Sequence, residues 1–158
     1  MEVRQQLTLF VENQTIEAIR TKFNPVQKTI ILAHVTLCRE DELEDLEKVI
    51  ANIKALKINR SIKISFNNVI RSENGKGVLI PASDENKDFH NLRDAILVSP
   101  RKYLPHITLM HPRNSTCTDA IFKEITSYQL PTLLSFNKIS LIGQKDGGNW
   151  TVLNEFSL

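Results

Sequence analysis

A four-residue word occurs twice in this chain, as HVTL at His34 to Leu37 and as HITL at His106 to Leu109, seventy-two residues apart. A second pair of stretches, KISFNNVI at 63–70 and LLSFNKIS at 133–140, shares the triplet SFN at an offset of seventy. Two matches at nearly one spacing read as an internal duplication, and two residues of insertion or deletion between them reconcile the offsets. Whatever unit the first half forms, the second half is then expected to form again. No linker rich in Gly, Pro or Ser separates the halves. The expectation is therefore one domain over 1–158, built of two lobes with pseudo-symmetric halves of roughly 1–76 and 77–158.

Periodicity supplies the elements. TLFVE (8–12) alternates as a strand, and Ile16, Ile19 and Phe23 then recur at helical spacing behind Thr15. Residues 29–37 read as a strand, and EDELEDLEKVIANIKALK (40–57) reads as one helix with Leu43, Leu46, Ile50, Ile53 and Leu56 on a single face. Acids in its first turn and lysines late suit the helix dipole. SIKISFNNVI (61–70) and VLIPAS (78–83) read as strands around an NGKG turn at 74–77. The pattern then restarts with a helix through Phe89, Leu92 and Ile96, a strand over YLPHITLM, and a helix through Ile121, Ile125 and Tyr128. It closes on a hairpin of TLLSFNKISL and WTVLNEF around KDGGN.

Composition removes several function classes. A formal net charge of +2 is too mild for a generally nucleic-acid- or membrane-binding surface, so any anion site must be local. The longest apolar stretch, TIILAHV, falls far short of the roughly 20 residues that span a bilayer. The N-terminal stretch lacks a signal peptide's apolar region, so a cytoplasmic protein with Cys38 and Cys117 as reduced thiols is expected.

On a strand, residues two apart face the same way, so His34 and Thr36 project together, as do His106 and Thr108, with Val35, Leu37, Ile107 and Leu109 behind them. A lone strand histidine is ordinarily a hydrogen-bonded structural residue; its duplication, with its threonine, argues otherwise. If a two-fold axis relates the halves, both pairs can face one groove. There a neutral imidazole can take a proton from a nucleophile while an imidazolium gives one to the leaving oxygen. The threonine hydroxyls can hold non-bridging phosphate oxygens, and the imidazolium adds charge where the transition state is negative. A metal site fits poorly, because neither motif brings a carboxylate, a third histidine or a cysteine pair at ligand spacing. NGKGV lacks the spacing of a phosphate loop. No cofactor is called for.

The paired H-x-T-L words, the PHITL context at Pro105 to Leu109, the duplication and the W-x-V-L ending resemble the 2H phosphoesterases, which include the 2′,5′ RNA ligase and cyclic phosphodiesterase family. The resemblance spans nearly the whole chain. It implies a bilobal α+β fold, with an antiparallel sheet in each lobe, flanking helices and a central cleft. It also implies hydrolysis, transesterification or ligation at a 2′ or 3′ ribose oxygen. By match, His34 and His106 take the catalytic places and Thr36 and Thr108 the phosphate-binding ones. The chain departs from the family after the second motif, where Met110 and His111 stand in place of the arginine many relatives carry. Arg39 holds the corresponding place in the first half, and Arg39 and Arg113 are the candidates to anchor phosphate.

Tyr103 and Trp150 could stack on a base, although core packing is the plainer reading of Trp150, and simple alternation puts Tyr103 off the face of His106. Arg101 and Lys102 form the nearest basic pair to the expected cleft. The expected function is a metal-independent phosphodiesterase, acting as a monomer on a cyclic phosphate or 2′-linked phosphodiester of a nucleotide or RNA end. A non-catalytic RNA- or nucleotide-binding module and a nuclease for cyclic oligonucleotide signals are the alternatives.

Overall fold

The computed structural model describes residues 3–57, 59–72 and 74–158. Nine strands and five α-helices alternate along the chain as β1 (Val3–Phe10), α1 (Gln14–Phe23), α2 (Pro25–Ile30), β2 (His34–Cys38), a 3₁₀ turn (Glu40–Glu42), α3 (Leu46–Ala55), β3 (Ile62–Ser65) and β4 (Ile70–Ser72). The second half continues with β5 (Gly77–Pro81), α4 (Lys87–Ile96), β6 (His106–Met110), α5 (Asp119–Thr126), β7 (Leu133–Phe136), β8 (Lys138–Lys145) and β9 (Trp150–Ser157). Seven strands form one antiparallel sheet in the order β4-β5-β6-β2-β1-β8-β9, and β3 pairs with β7 in a separate ribbon.

The duplication is written into that order. Matching β1 to β5, β2 to β6 and β4 to β8 makes the sequence β4-β5-β6-β2-β1-β8 read the same from either end, with β9 added at one edge. The axis passes between β2 and β6, which are joined through the register pair Val35 and Ile107. The repeated SFN stretches likewise meet each other, because Ile62 to Ser65 of β3 lie antiparallel to Phe136 to Leu133 of β7. Each lobe thus contributes three strands about the axis, and the lobes share one core.

Local chemistry sets the boundaries. The Asn13 side chain caps α1 by accepting from Ile16 N–H at 3.0 Å, Pro25 opens α2 where its missing N–H costs nothing, and Asp45 caps α3 by accepting from Lys48 N–H at 3.1 Å. Two hairpin turns use left-handed Asx-Gly pairs, Asn74 (φ 58°) with Gly75 (φ 84°) and Asp146 (φ 50°) with Gly147 (φ 72°), as the twist of the flanking strands requires.

Several elements differ from the sequence reading, among them the stretches read as single strands at 61–70 and over TLLSFNKISL, which divide into β3 and β4 and into β7 and β8, in different sheets. Residues 29 and 30, read as the start of the strand over 29–37, instead close the helix α2, since Pro25 fixes its first turn and the Thr29 hydroxyl donates to the Val26 carbonyl at 2.7 Å. The long helix of 40–57 is broken into a 3₁₀ turn and α3, because Glu42 turns inward onto the buried Arg93 while Asp45 starts a new helix. The first strand begins at Val3 and ends at Phe10, ahead of the 8–12 expected. Cys38 and Cys117 are buried and unpaired with each other.

Candidate active site

The register pair Val35 and Ile107 decides the site. In an antiparallel pair it sets His34 opposite Thr108 and Thr36 opposite His106, all four on one face. Val35, Leu37, Ile107 and Leu109 on the other face are fully buried and pin both strands to the core. The four polar side chains line a single cleft of about 200 Å³. The neighbouring strands complete its floor, with Thr8 of β1 in register with Thr36, and Leu79 of β5 with Thr108.

Both histidines are oriented by the same device. His34 Nδ1 lies 2.8 Å from the Leu32 carbonyl, and His106 Nδ1 lies 3.1 Å from the Leu104 carbonyl, the residue two positions earlier in each case. A carbonyl only accepts, so each Nδ1 carries the proton and each Nε2 is left for chemistry. Burial pushes His34 down to about 4, and the nearby charges of Arg20 and His106 add to that push against the Leu32 hydrogen bond. His34 is therefore neutral at neutral pH, with an available lone pair on Nε2.

The Thr36 hydroxyl sits 3.5 Å from Gln6 Nε2, which also donates to Thr8 Oγ1 at 2.9 Å. Gln6 lines the cleft, as do Arg4, Arg20, Gln27 and His111, none of which the sequence reading placed there. Arg113 and Trp150, which it did propose, line the same cleft, and Arg4 lies over the Trp150 ring at 5.6 Å from its centroid. Arg4 also donates to Glu40 at 2.8 Å, and the Arg113 backbone N–H donates to His111 Nδ1 at 3.1 Å. No carboxylate is among the described residues that line the cleft, so a chain of net charge +2 gathers its local positive potential here. The polar alternation Arg4, Gln6, Thr8 ahead of Phe10 on the same strand face was the signal for the missed Arg4 and Gln6.

The remaining predicted residues lie elsewhere. Arg39, Arg101, Lys102 and Tyr103 line a second cavity of about 420 Å³, together with Glu42, Arg93 and Leu104. Arg101 is paired there with Asp41. Tyr103 is the wall between the two spaces. Residues 103–105 are not in a strand, which frees its ring to approach His106 at a centroid distance of 6.4 Å, and Arg39 lies over it at 5.1 Å. Burial raises the Tyr103 phenol, opposed by Arg39 and by a hydrogen bond with Thr36. Among the described residues, no three His, Cys, Asp or Glu side chains gather at metal-binding spacing.

Against solved structures, the E. coli LigT structure in apo form superposes with a TM-score of 0.66 at 16% identity, covering 100% of this chain and 99% of that one. This chain has the LigT fold. LigT complexed with 3′-AMP gives a TM-score of 0.62 at 14% identity over 98% of this chain and 97% of that one. A further structure described as a phosphoesterase gives 0.61 at 14%, covering 100% and 99%. The α+β architecture is the expected one, with a seven-stranded antiparallel sheet, a two-stranded ribbon and five helices among the described residues. No protein-family model matches the sequence, and no curated protein matches it either. The LigT fold is thus reached with little sequence in common.

Proposed function

We propose that this chain is a metal-independent phosphodiesterase that opens a cyclic phosphate, or cleaves a 2′-linked phosphodiester, at a nucleotide or RNA end. The observation that carries the reading is the pair of His-x-Thr faces on adjacent antiparallel strands, with both Nδ1 atoms tied to backbone carbonyls in one cleft free of acids. The LigT fold supports it, as does the description of LigT structures in complex with phosphate and with 3′-AMP.

For a 2′,3′-cyclic phosphate, His34 Nε2 takes a proton from water as the water oxygen bonds to phosphorus. The bond from phosphorus to one ribose oxygen breaks, and the imidazolium of His106 gives that oxygen its proton. His34 suits the base because its surroundings keep it neutral. Thr36 and Thr108 donate to the non-bridging oxygens, where negative charge accumulates. Trp150 offers a ring for the base to stack on.

The test is turnover of 2′,3′-cyclic AMP by the purified chain in EDTA. His34→Gln and His106→Gln should each lower kcat/KM by about 10²- to 10⁴-fold while EDTA leaves the parent rate unchanged. A folded protein that binds the nucleotide without turnover would instead be the recognition module, and chelator-sensitive activity would sink the two-histidine mechanism.

A further inference from the structure

The internal duplication extends to a pair of buried arginines. Ile16, Ile19, Arg20 and Phe23 of α1 correspond to Phe89, Leu92, Arg93 and Ile96 of α4 at a uniform offset of seventy-three. Arg20 is 1% exposed and Arg93 is 2% exposed. Their surroundings differ sharply.

Arg93 is fully answered. It donates to both Glu42 carboxylate oxygens, at 3.0 and 2.6 Å, and to the carbonyls of Leu37 at 2.6 Å and Arg101 at 2.9 Å. Arg20 donates from Nη2 to the Ile31 carbonyl at 2.8 Å, and there its hydrogen bonds end. Its Nε and Nη1 groups are buried without a hydrogen-bond partner among the described residues. The nearest carboxylate oxygen, Glu17 Oε1, stands 3.6 Å from Nη1 and is already accepting the Ala33 N–H at 2.9 Å. A buried donor left unmade is costly enough that each such group calls for an explanation. Arg20 also forms part of the cleft wall beside His34, in a space lined by no acid.

We infer that Arg20 is an anion-binding residue of the cleft, its unanswered guanidinium N–H groups donating to a non-bridging oxygen of the substrate phosphate on the His34 side. The inference rests on the reading of the cleft as a phosphate site. A guanidinium carries a fixed charge on several donors, and burial strengthens a charge-assisted hydrogen bond from one of them to phosphate. In one half of the duplicated fold the buried arginine has a carboxylate bound edge to edge; in the other its carboxylate stands off at 3.6 Å and leaves donors open to a ligand.

Inorganic phosphate is the probe, with its Kd measured by calorimetry on the full chain and on Arg20→Gln, Arg20→Lys and Glu17→Gln. Circular dichroism and urea unfolding establish that each variant is folded. Arg20→Gln should weaken phosphate binding by about tenfold to a hundredfold, the worth of a charge-assisted hydrogen bond. Arg20→Lys should recover part of the loss, having the charge without the planar set of donors, and Glu17→Gln should tighten binding by removing the competing carboxylate. Folded Arg20→Gln with a Kd within about twofold of the parent overturns the inference, since a charge-assisted contact would cost more. Should Arg20→Gln fail to fold, a parental Kd in both Arg20→Lys and Glu17→Gln overturns it. Phosphate affinity that depends on Arg20 in a protein without turnover would leave this inference standing while ending the hydrolase reading; turnover with a KM untouched by Arg20→Gln would do the reverse.

Discussion

Glu42→Ala tests the buried ion pair between Glu42 and Arg93. The side chains of Arg93 and Glu42 are 3% and 5% exposed, and Glu42 also accepts the Arg39 backbone N–H at 3.1 Å. The intact pair adds little net stability, because taking two ions out of water offsets most of their attraction. Removing one partner is another matter: the guanidinium stays buried with its charge uncompensated, at a cost of about 3–5 kcal/mol. Against a typical total of about 5–15 kcal/mol, that is roughly a fifth of the stability or more. Glu40→Ala is the control, since Glu40 pairs with Arg4 at the surface, where the side chains are 49% and 43% exposed and such pairs contribute about 0–1 kcal/mol. The assay is urea unfolding followed by circular dichroism at several pH values. Burial alone would raise the Glu42 carboxyl, but the Arg93 guanidinium and the Arg39 N–H hold it below the usual range. Its contribution is therefore present above the unfolded carboxyl value of about 4.3 and lost as pH falls through the lower folded value, so the gap between parent and variant should close in acid. A loss no larger than that of Glu40→Ala, or a gap that does not change with pH, would refute the reasoning.

In the pH dependence of kcat/KM, the acid limb should fall near the His34 value of about 4, well below the ordinary imidazole near 6.5, and a limb at or above 6.5 would remove His34 as the base. The same depression means that unfolded His34 takes up a proton more readily, so stability should decline as pH drops from about 6.5 towards that value. Thr36→Ala and Thr108→Ala should each cost less activity than either histidine replacement, because a hydroxyl contributes one neutral hydrogen bond and no proton transfer; equal losses in folded variants would show otherwise.

The two histidine words were legible because strand alternation alone fixes which side chains share a face, and the duplication alone implies that two such faces can meet. What escaped the sequence reading has a common cause in contacts between distant residues. Arg4, Gln6 and Thr8 form a strand whose inner face is polar because it lines the cleft, so the apolar alternation that marks strands is missing just where β1 is functional. The 40–57 segment has a helical apolar stripe throughout, yet Glu42 leaves the helix for Arg93, fifty-one residues away, a partner no local pattern reveals. Thr29 and Ile30 are β-branched, and only Pro25, four positions before Thr29, announces the helix that overrides them. Nothing in the local pattern of α1 marks Arg20; its unanswered guanidinium becomes visible only beside that of Arg93.

The palindromic strand order bears on how one fold comes to hold both an acid and a base. A half-length chain pairing with a copy of itself about the β2–β6 axis would present the same four side chains, but its two histidines would be equivalent by symmetry. Neither could be assigned a proton in advance. Covalent fusion of the halves lets each imidazole acquire neighbours of its own, with a buried arginine beside His34 and a tyrosine ring beside His106. Division of labour in this cleft is thus a property of broken symmetry, available to a single chain and denied to an identical pair.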